Sequence, residues 1–204
     1  MKKLSTVLIF CNIWCINLSA QFNTYVRFTD YSDKVLNSSG SFENSIEYKG
    51  NSFDISSNQF IKVNSFKGDI EQVLNIGSQS TGAGAGKESF NPFHLIKSVD
   101  DVTPTLMQNS CSGTPFKTVE VYFVNNQNII FTKYIYKLVA VKTMAWNTSC
   151  PNGCNSPVED VSFEYGGQII LVYRPGTEGK AGAIQGGWNR VKNIVDNDLN
   201  SVVK

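Results

Sequence analysis

Ser80-Thr-Gly-Ala-Gly-Ala-Gly-Lys-Glu-Ser-Phe-Asn-Pro-Phe-His-Leu-Ile-Lys-Ser-Val-Asp-Asp-Val-Thr-Pro-Thr-Leu-Met-Gln-Asn-Ser-Cys-Ser112 holds three kinds of local structure in one run. Gly82, Gly84 and Gly86, followed by Lys87, predict a flexible loop. Phe90 to Val99 predicts an apolar strand. A short helix follows, announced by Asp101 and by Pro104 near its first position, where the missing proline N–H would be unpaired in any case. Leu106 and Met107 supply an apolar side, and Gly113 stands where a left-handed residue ends a helix cheaply.

Gly-Ala-Gly-Lys also resembles a phosphate cradle, and the residues around it argue against one. A P-loop needs glycine five positions before Gly86, where Thr81 stands. It needs Ser or Thr after the lysine to reach magnesium, and Glu88 there would repel phosphate. A loop is therefore preferred to a nucleotide site.

Upstream, Met1-Lys2-Lys3 and an apolar run from Leu4 to Leu18 lead to Leu18-Ser19-Ala20. This predicts a secretory signal peptide over residues 1–20, cut before Gln21. Cys11 follows bulky Phe10, a poor neighbour for a lipidated cysteine. No later apolar run reaches spanning length, so no membrane span is expected in the mature chain.

About 184 residues of the 204 then remain, enough for one domain with a proper core. A net charge of +1 argues against nucleic acid, whose binding draws on a basic patch. With 17% charged and 12% aromatic residues, the profile is that of a β-rich extracytoplasmic protein. Cys150-Pro-Asn-Gly-Cys154 has a turn-forming centre, and its candidate disulfide is favoured over free thiols. Metal ranks third, because His94 is the only histidine and lies far off. Cys111 is expected to be a small buried apolar group, or a partner of one of the other two.

The patterning predicts strands over Phe22–Phe28, Gln59–Phe66, Thr118–Val124 and Ile129–Tyr136, with a short segment over Ile70–Ile76. Asn125-Asn126-Gln127-Asn128 joins the third and fourth as a hairpin. Leu138–Ala145 continues that hairpin as a bent strand. Val158–Tyr165 and Gln168–Tyr173 predict a second hairpin across Gly166-Gly167. Residues 29–58 predict mainly loop, with short strands around Phe42–Tyr48. Val191, Ile194, Val195, Leu199 and Val202 recur at roughly helical spacing and suggest a tail helix.

The ordered set of Gly-Ala-Gly-Lys, the strand to Val99, Thr103-Pro-Thr-Leu-Met, Val158-Glu-Asp-Val-Ser-Phe-Glu-Tyr and Gly186-Gly-Trp-Asn189 resembles the haemolysin-coregulated protein (Hcp) family of type VI secretion systems. The match runs from Thr81 to Asn193. It implies a mainly β fold, a small antiparallel β-barrel or two-sheet sandwich with one short flanking helix. On this resemblance residues 21–193 form the domain, residues 29–58 an insertion, and residues 194–204 a tail. The resemblance also implies a homohexameric ring that stacks into the tube expelled by a contracting sheath. Its implied partners are copies of itself, the spike protein, the sheath and secreted effectors. It implies no catalytic residue and no cofactor, and it suggests that Gly82, Gly84, Gly86 and Lys87 lie near the ring-to-ring contact. The chain departs from the family in its leader, its longer 29–58 region, Ser65-Phe66-Lys67-Gly68 where members often carry tryptophan and serine, and its extended tail.

Two other classes were weighed. The leader and the cysteine loop suit a monomeric exported barrel that binds a ligand or host surface through its loops. An enzyme would draw on Asp100, Asp101, Glu159, Asp160 and Glu164, with His94 as base. No Gly-x-Ser-x-Gly elbow is present. His94 lies between Phe93 and Leu95, and the acids fall at a helix start and on strands, where caps and solvated faces explain them.

Overall fold

A computed structural model describes residues 22–44, 57–75, 84–148, 156–173, 183–199 and 202. Expectations for residues 1–20 and for Cys150 and Cys154 lie outside the described residues, as does Gly82.

The first strand forms as the alternation dictates. β1 (Phe22–Thr29) buries every second residue, including Val26 and Phe28. Two short strands, β2 (Lys34–Leu36) and β3 (Phe42–Asn44), extend the sheet beyond it. Their turn is held by Asn37, whose Oδ1 accepts from the N–H groups of Ser39 and Ser41 at 3.0 and 3.2 Å. Gly40 is obligatory there: its φ is 73°, and a Cβ would lie 2.5 Å from the carbonyl oxygen of Asp101. The strand expected over Gln59–Phe66 divides at Asn64 into β4 (Ile61–Val63) and β5 (Ser65–Lys67). β4 pairs with β1, while the Asn64 N–H donates to the Ile96 carbonyl at 2.7 Å and turns the chain toward the opposite layer.

The glycine-rich stretch is a correction. β6 (Ile70–Asn75) pairs with β7 (Gly84–Phe90) in a separate two-stranded sheet, so Gly84, Gly86 and Lys87 are strand backbone rather than loop. Cross-strand hydrogen bonding there outweighs the weak strand preference of glycine. The strand expected from Phe90 to Val99 is correspondingly shorter. Pro92, which has no N–H to donate, separates β7 from β8 (Phe93–Ser98).

Helix α1 (Thr103–Ser112) is present, with Pro104 in its first turn and Gly113 closing it at φ 68°. Its cap residue is Val102 rather than Asp101, and Asp100 Oδ1 takes the Val102 N–H at 3.1 Å. Leu106 is buried, but Met107 and Cys111 are exposed, against expectation. The apolar stripe of α1 is one residue wide, because the face that carries Met107 and Cys111 turns away from the sheet.

β9 (Phe116–Asn125) and β10 (Ile130–Asn147) form the expected hairpin, with Asn125 Oδ1 accepting from Gln127 and Ile129 N–H groups. β10 is one strand, bent where Leu138 adopts φ 53° and where register slips between Val141 and Thr143. β11 (Val158–Tyr173) is likewise continuous, and the hairpin expected at Gly166-Gly167 does not exist. Those glycines permit close approach instead: a Cβ on Gly167 would lie 2.8 Å from Leu199 Cδ2. The expected tail helix is also absent among the described residues. Trp188 belongs to β12 (Ala183–Asn189), Ile194 and Val195 form the two-residue β13, and Leu199 and Val202 fold back to be buried. A chain reversal between apolar residues reproduces helical spacing without a helix.

The main sheet has the order β13-β12-β11-β10-β9-β1-β2-β3, with β8 on β11, β5 on β8 and β4 on β1. The fold is mainly β, antiparallel and sandwich-like, with one helix among the described residues, as expected. Phe93 sits at its centre, stacked on Tyr136 at 4.1 Å and on Phe163 at 4.9 Å between ring centroids. Each such fully buried side chain contributes about 1.5–3 kcal/mol relative to exposure.

Candidate assembly interface

Side chains directly opposite on paired strands share a face. Register therefore defines rows across β1, β9, β10, β11 and β12. One row is Phe28, Val119, Tyr136, Gln168, Trp188, ending at Val195 of β13. Another is Thr24, Phe123, Thr132, Val172, Ile184. Over β1 and β9 these positions cover the core. Over β11, β12 and β13 exposure rises: Gln168 is still buried and Trp188 half-buried, while Val172, Ile184 and Val195 are 45%, 58% and 67% exposed. Phe22 of β1 and Phe131 of β10, also exposed, pack on Phe123 of β9. An apolar face at the free end of a sheet is suited to contact with another polypeptide.

The other face of β9 carries a buried charge. Glu120 Oε1 meets Lys133 Nζ at 2.5 Å, and its Oε2 accepts from Arg27 Nε at 2.8 Å and from the Tyr122 hydroxyl at 2.9 Å. Burial alone would raise the pKa of this carboxyl. The charges of Lys133 and Arg27 outweigh burial and hold it down at about 2. Burial, and then the Glu120 charge, push the Tyr122 hydroxyl well above its ordinary value.

Four of the five acids named from sequence, Asp100, Glu159, Asp160 and Glu164, are engaged in joining elements. Lys97 Nζ, fully buried, donates to Asp100 Oδ1 at 2.6 Å and to Glu159 Oε1 at 2.8 Å, and the Thr103 hydroxyl donates to the same Glu159 oxygen. The cluster fastens the start of α1 to β8 and β11. Glu164 of β11 accepts from Lys142 at 2.8 Å and Arg190 at 3.3 Å. Arg190 also donates to the Tyr165 carbonyl at 2.6 Å and lies 4.5 Å above the Tyr165 ring. Asp101 is exposed beside Gly40. His94 Nδ1 meets Asp160 Oδ1 at 3.1 Å on a half-exposed surface. Chemically these groups do cross-strand and strand-to-helix pairing.

Among the sequence-predicted site residues, Gly84, Gly86 and Lys87 lie together on β7. The roles of Glu120, Lys97 and Arg190 were missed by sequence reading. Their one signal was a charge inside an apolar strand, Glu120 between Val119 and Val121 and Lys97 beside Ile96. Among the described residues no group of three or more His, Cys, Asp or Glu forms a metal cluster. No helix of the described residues is long and apolar enough to cross a membrane.

The chain matches the family described as "Type VI secretion system effector, Hcp" over residues 36–173. No curated protein matches it. Among solved structures, one titled a type six secretion system protein superposes with a TM-score of 0.66 at 20% identity, covering 86% of this chain and 100% of that one. Hcp1 from Salmonella typhimurium gives 0.60 at 15% identity, covering 86% and 99%. The secreted protein Hcp3 from Pseudomonas aeruginosa gives 0.54 at 12% identity, covering 83% and 98%. These likenesses establish the shared fold. The family match spans well over half of the sequence, from the end of β2 to the end of β11, and the chain belongs to the Hcp family of type VI secretion proteins.

Proposed function

We propose that this chain is a structural, ring-forming subunit that assembles with copies of itself into the tube of a type VI secretion system. The observation that carries this reading is the exposed apolar end of the sheet, Val172, Ile184 and Val195, on a fold of the Hcp family. A ring needs a heterologous contact that closes by rotation, and a sheet with two free ends, β3 and β13, has the required asymmetry. Six copies per ring is the number the family resemblance implies. Rings stack through the β6–β7 pair, a separate two-stranded sheet that carries Gly84, Gly86 and Lys87. The proposed tube is capped by a spike, driven by a sheath, and carries effectors out of the cell.

The chain's chemistry in this role is adhesion rather than catalysis, with no cofactor, and it works in secretion and virulence. Residues 1–20 act as a signal peptide and the mature protein is extracytoplasmic. Cys150 and Cys154 close a disulfide loop there. Size-exclusion chromatography with light scattering tests the ring. The mature protein elutes as a closed multimer, and the Val172→Asp/Ile184→Asp variant elutes as a folded monomer. A wild-type protein that stays monomeric at high concentration overturns the reading.

A further inference from the structure

Lys97 lies on the inward side of β8 with Phe93 and Leu95, and only 1% of it is exposed. A lysine is rarely buried to this degree unless it is paired. Its Nζ donates to three oxygens: the Ser98 carbonyl at 2.9 Å, Asp100 Oδ1 at 2.6 Å and Glu159 Oε1 at 2.8 Å. Glu159 stands directly opposite Lys97 in the β8–β11 register and is fully buried. Its Oε1 also accepts from the Thr103 hydroxyl at 3.0 Å, but its Oε2 has no hydrogen-bond partner.

An ion pair alone explains this arrangement poorly. Taking two charges out of water costs more than their attraction returns unless the remaining lone pairs find donors, and Glu159 Oε2 finds none. The arrangement does suit a condensation. It holds an amine, the carboxyl it would join and a second carboxyl that can carry a proton between them. The Asp100 side chain is 35% exposed, so a released water has a way out. Its Oδ1 also accepts from the Val102 N–H at 3.1 Å, which fixes the carboxyl beside the amine.

We propose that Lys97 and Asp100 are joined by an isopeptide bond that the chain makes by itself, with Glu159 as the proton carrier. The Lys97 ammonium gives one proton to Glu159, and the neutral Nζ attacks Asp100 Cγ. A C–N bond forms. Glu159 passes its proton to the departing Asp100 oxygen, and a second proton from the nitrogen goes with it. The C–O bond breaks and one water leaves. Nothing is oxidised or reduced, and Glu159 ends as the carboxylate it began as. The amide keeps one N–H for Glu159 Oε1. Holding the two reactants in contact inside one chain supplies the effective concentration that the step needs. The product ties the end of β8 to the start of α1 covalently. It is independent of the self-association proposed above.

Peptide mass spectrometry on the full-length purified chain tests it. Trypsin cuts after a free lysine and leaves an acylated one intact. The linked chain therefore yields one peptide over residues 88–117, one water lighter than its sequence and with no fragment ions from inside residues 97–100. That is the expected main product. Lys97→Arg and Glu159→Gln should each be cut after position 97 and give both peptides at full mass. Asp160→Asn, altered on the outer face beside Glu159, should link as the wild type does. Wild-type peptides 88–97 and 98–117 at full mass overturn the inference, with no variant needed. So does a peptide 98–117 that is one water light, since a free Lys97 would place the loss within the aspartates. A Glu159→Gln chain that links as completely as the wild type overturns the role given to Glu159.

Discussion

The row through Phe28, Val119 and Tyr136 is at most 1% exposed, while the same row ends at Val195, which is 67% exposed. The hydrogen bonding is continuous from one end to the other, and apart from Gln168 the side chains of the row are apolar or aromatic. What differs is the packing: Phe93 and Leu95 of β8 and Phe66 of β5 share the core cluster with Phe28, Val119 and Tyr136, and Val195 lies outside that cluster. A sheet that continues its apolar rows past its own core has two tasks. One region folds the chain, and the other is the surface proposed above for a second copy.

The largest expected effect lies in the folding region. Phe93→Ala removes the ring stacked between Tyr136 and Phe163 and costs about 4 kcal/mol, read by denaturant unfolding at fixed protomer concentration. A loss under about 1 kcal/mol would mean that the stack is not the core.

Acid titration probes the other face of the same strands. The Glu120 carboxyl is depressed to about 2 by Lys133 and Arg27 against the effect of burial. A depressed carboxyl contributes stability that is present above its unfolded value and lost as pH falls through its folded one. Stability should therefore decline from about pH 4.5 to about 2, by about 3 kcal/mol for this group. Unfolding measured across that range in the wild type and in Glu120→Gln checks it, because the variant lacks this component of the slope.

Val172→Asp with Ile184→Asp separates the two regions. Surface positions of this kind change stability by less than about 1 kcal/mol, so circular dichroism and melting stay near the wild type while association is lost. Equal loss of both would merge the regions and remove the distinction. The smallest effect is at Cys111. Its exposed thiol labels fully in the folded protein, and Cys111→Ser changes stability by less than about 0.5 kcal/mol.

The legible parts of the sequence were those in which cause and effect are local. Asn125 to Asn128 announced the β9–β10 hairpin because its turn is held by the side chain of Asn125 itself. Pro104 and Gly113 bounded α1 because each acts through its own backbone. Gly166-Gly167 was misread because a glycine pair serves a turn and a close contact equally well, and the contacting residues lie more than twenty positions away. The tail failed for the same reason, since apolar spacing does not report a reversal. Cys111 was expected inside because a free cysteine usually behaves as a small buried apolar group, a preference that does not say which face of the helix it occupies. The glycines of β7 were named from the resemblance alone. The exposed rows appeared only once register aligned Val172 with Ile184 and Trp188 with Val195.

Native mass spectrometry of the purified chain counts subunits without labels or substitutions. If the exposed end of the sheet is a surface for another copy, the dominant ion series is a closed multimer of six chains. A spectrum of folded single chains at every concentration would contradict the account.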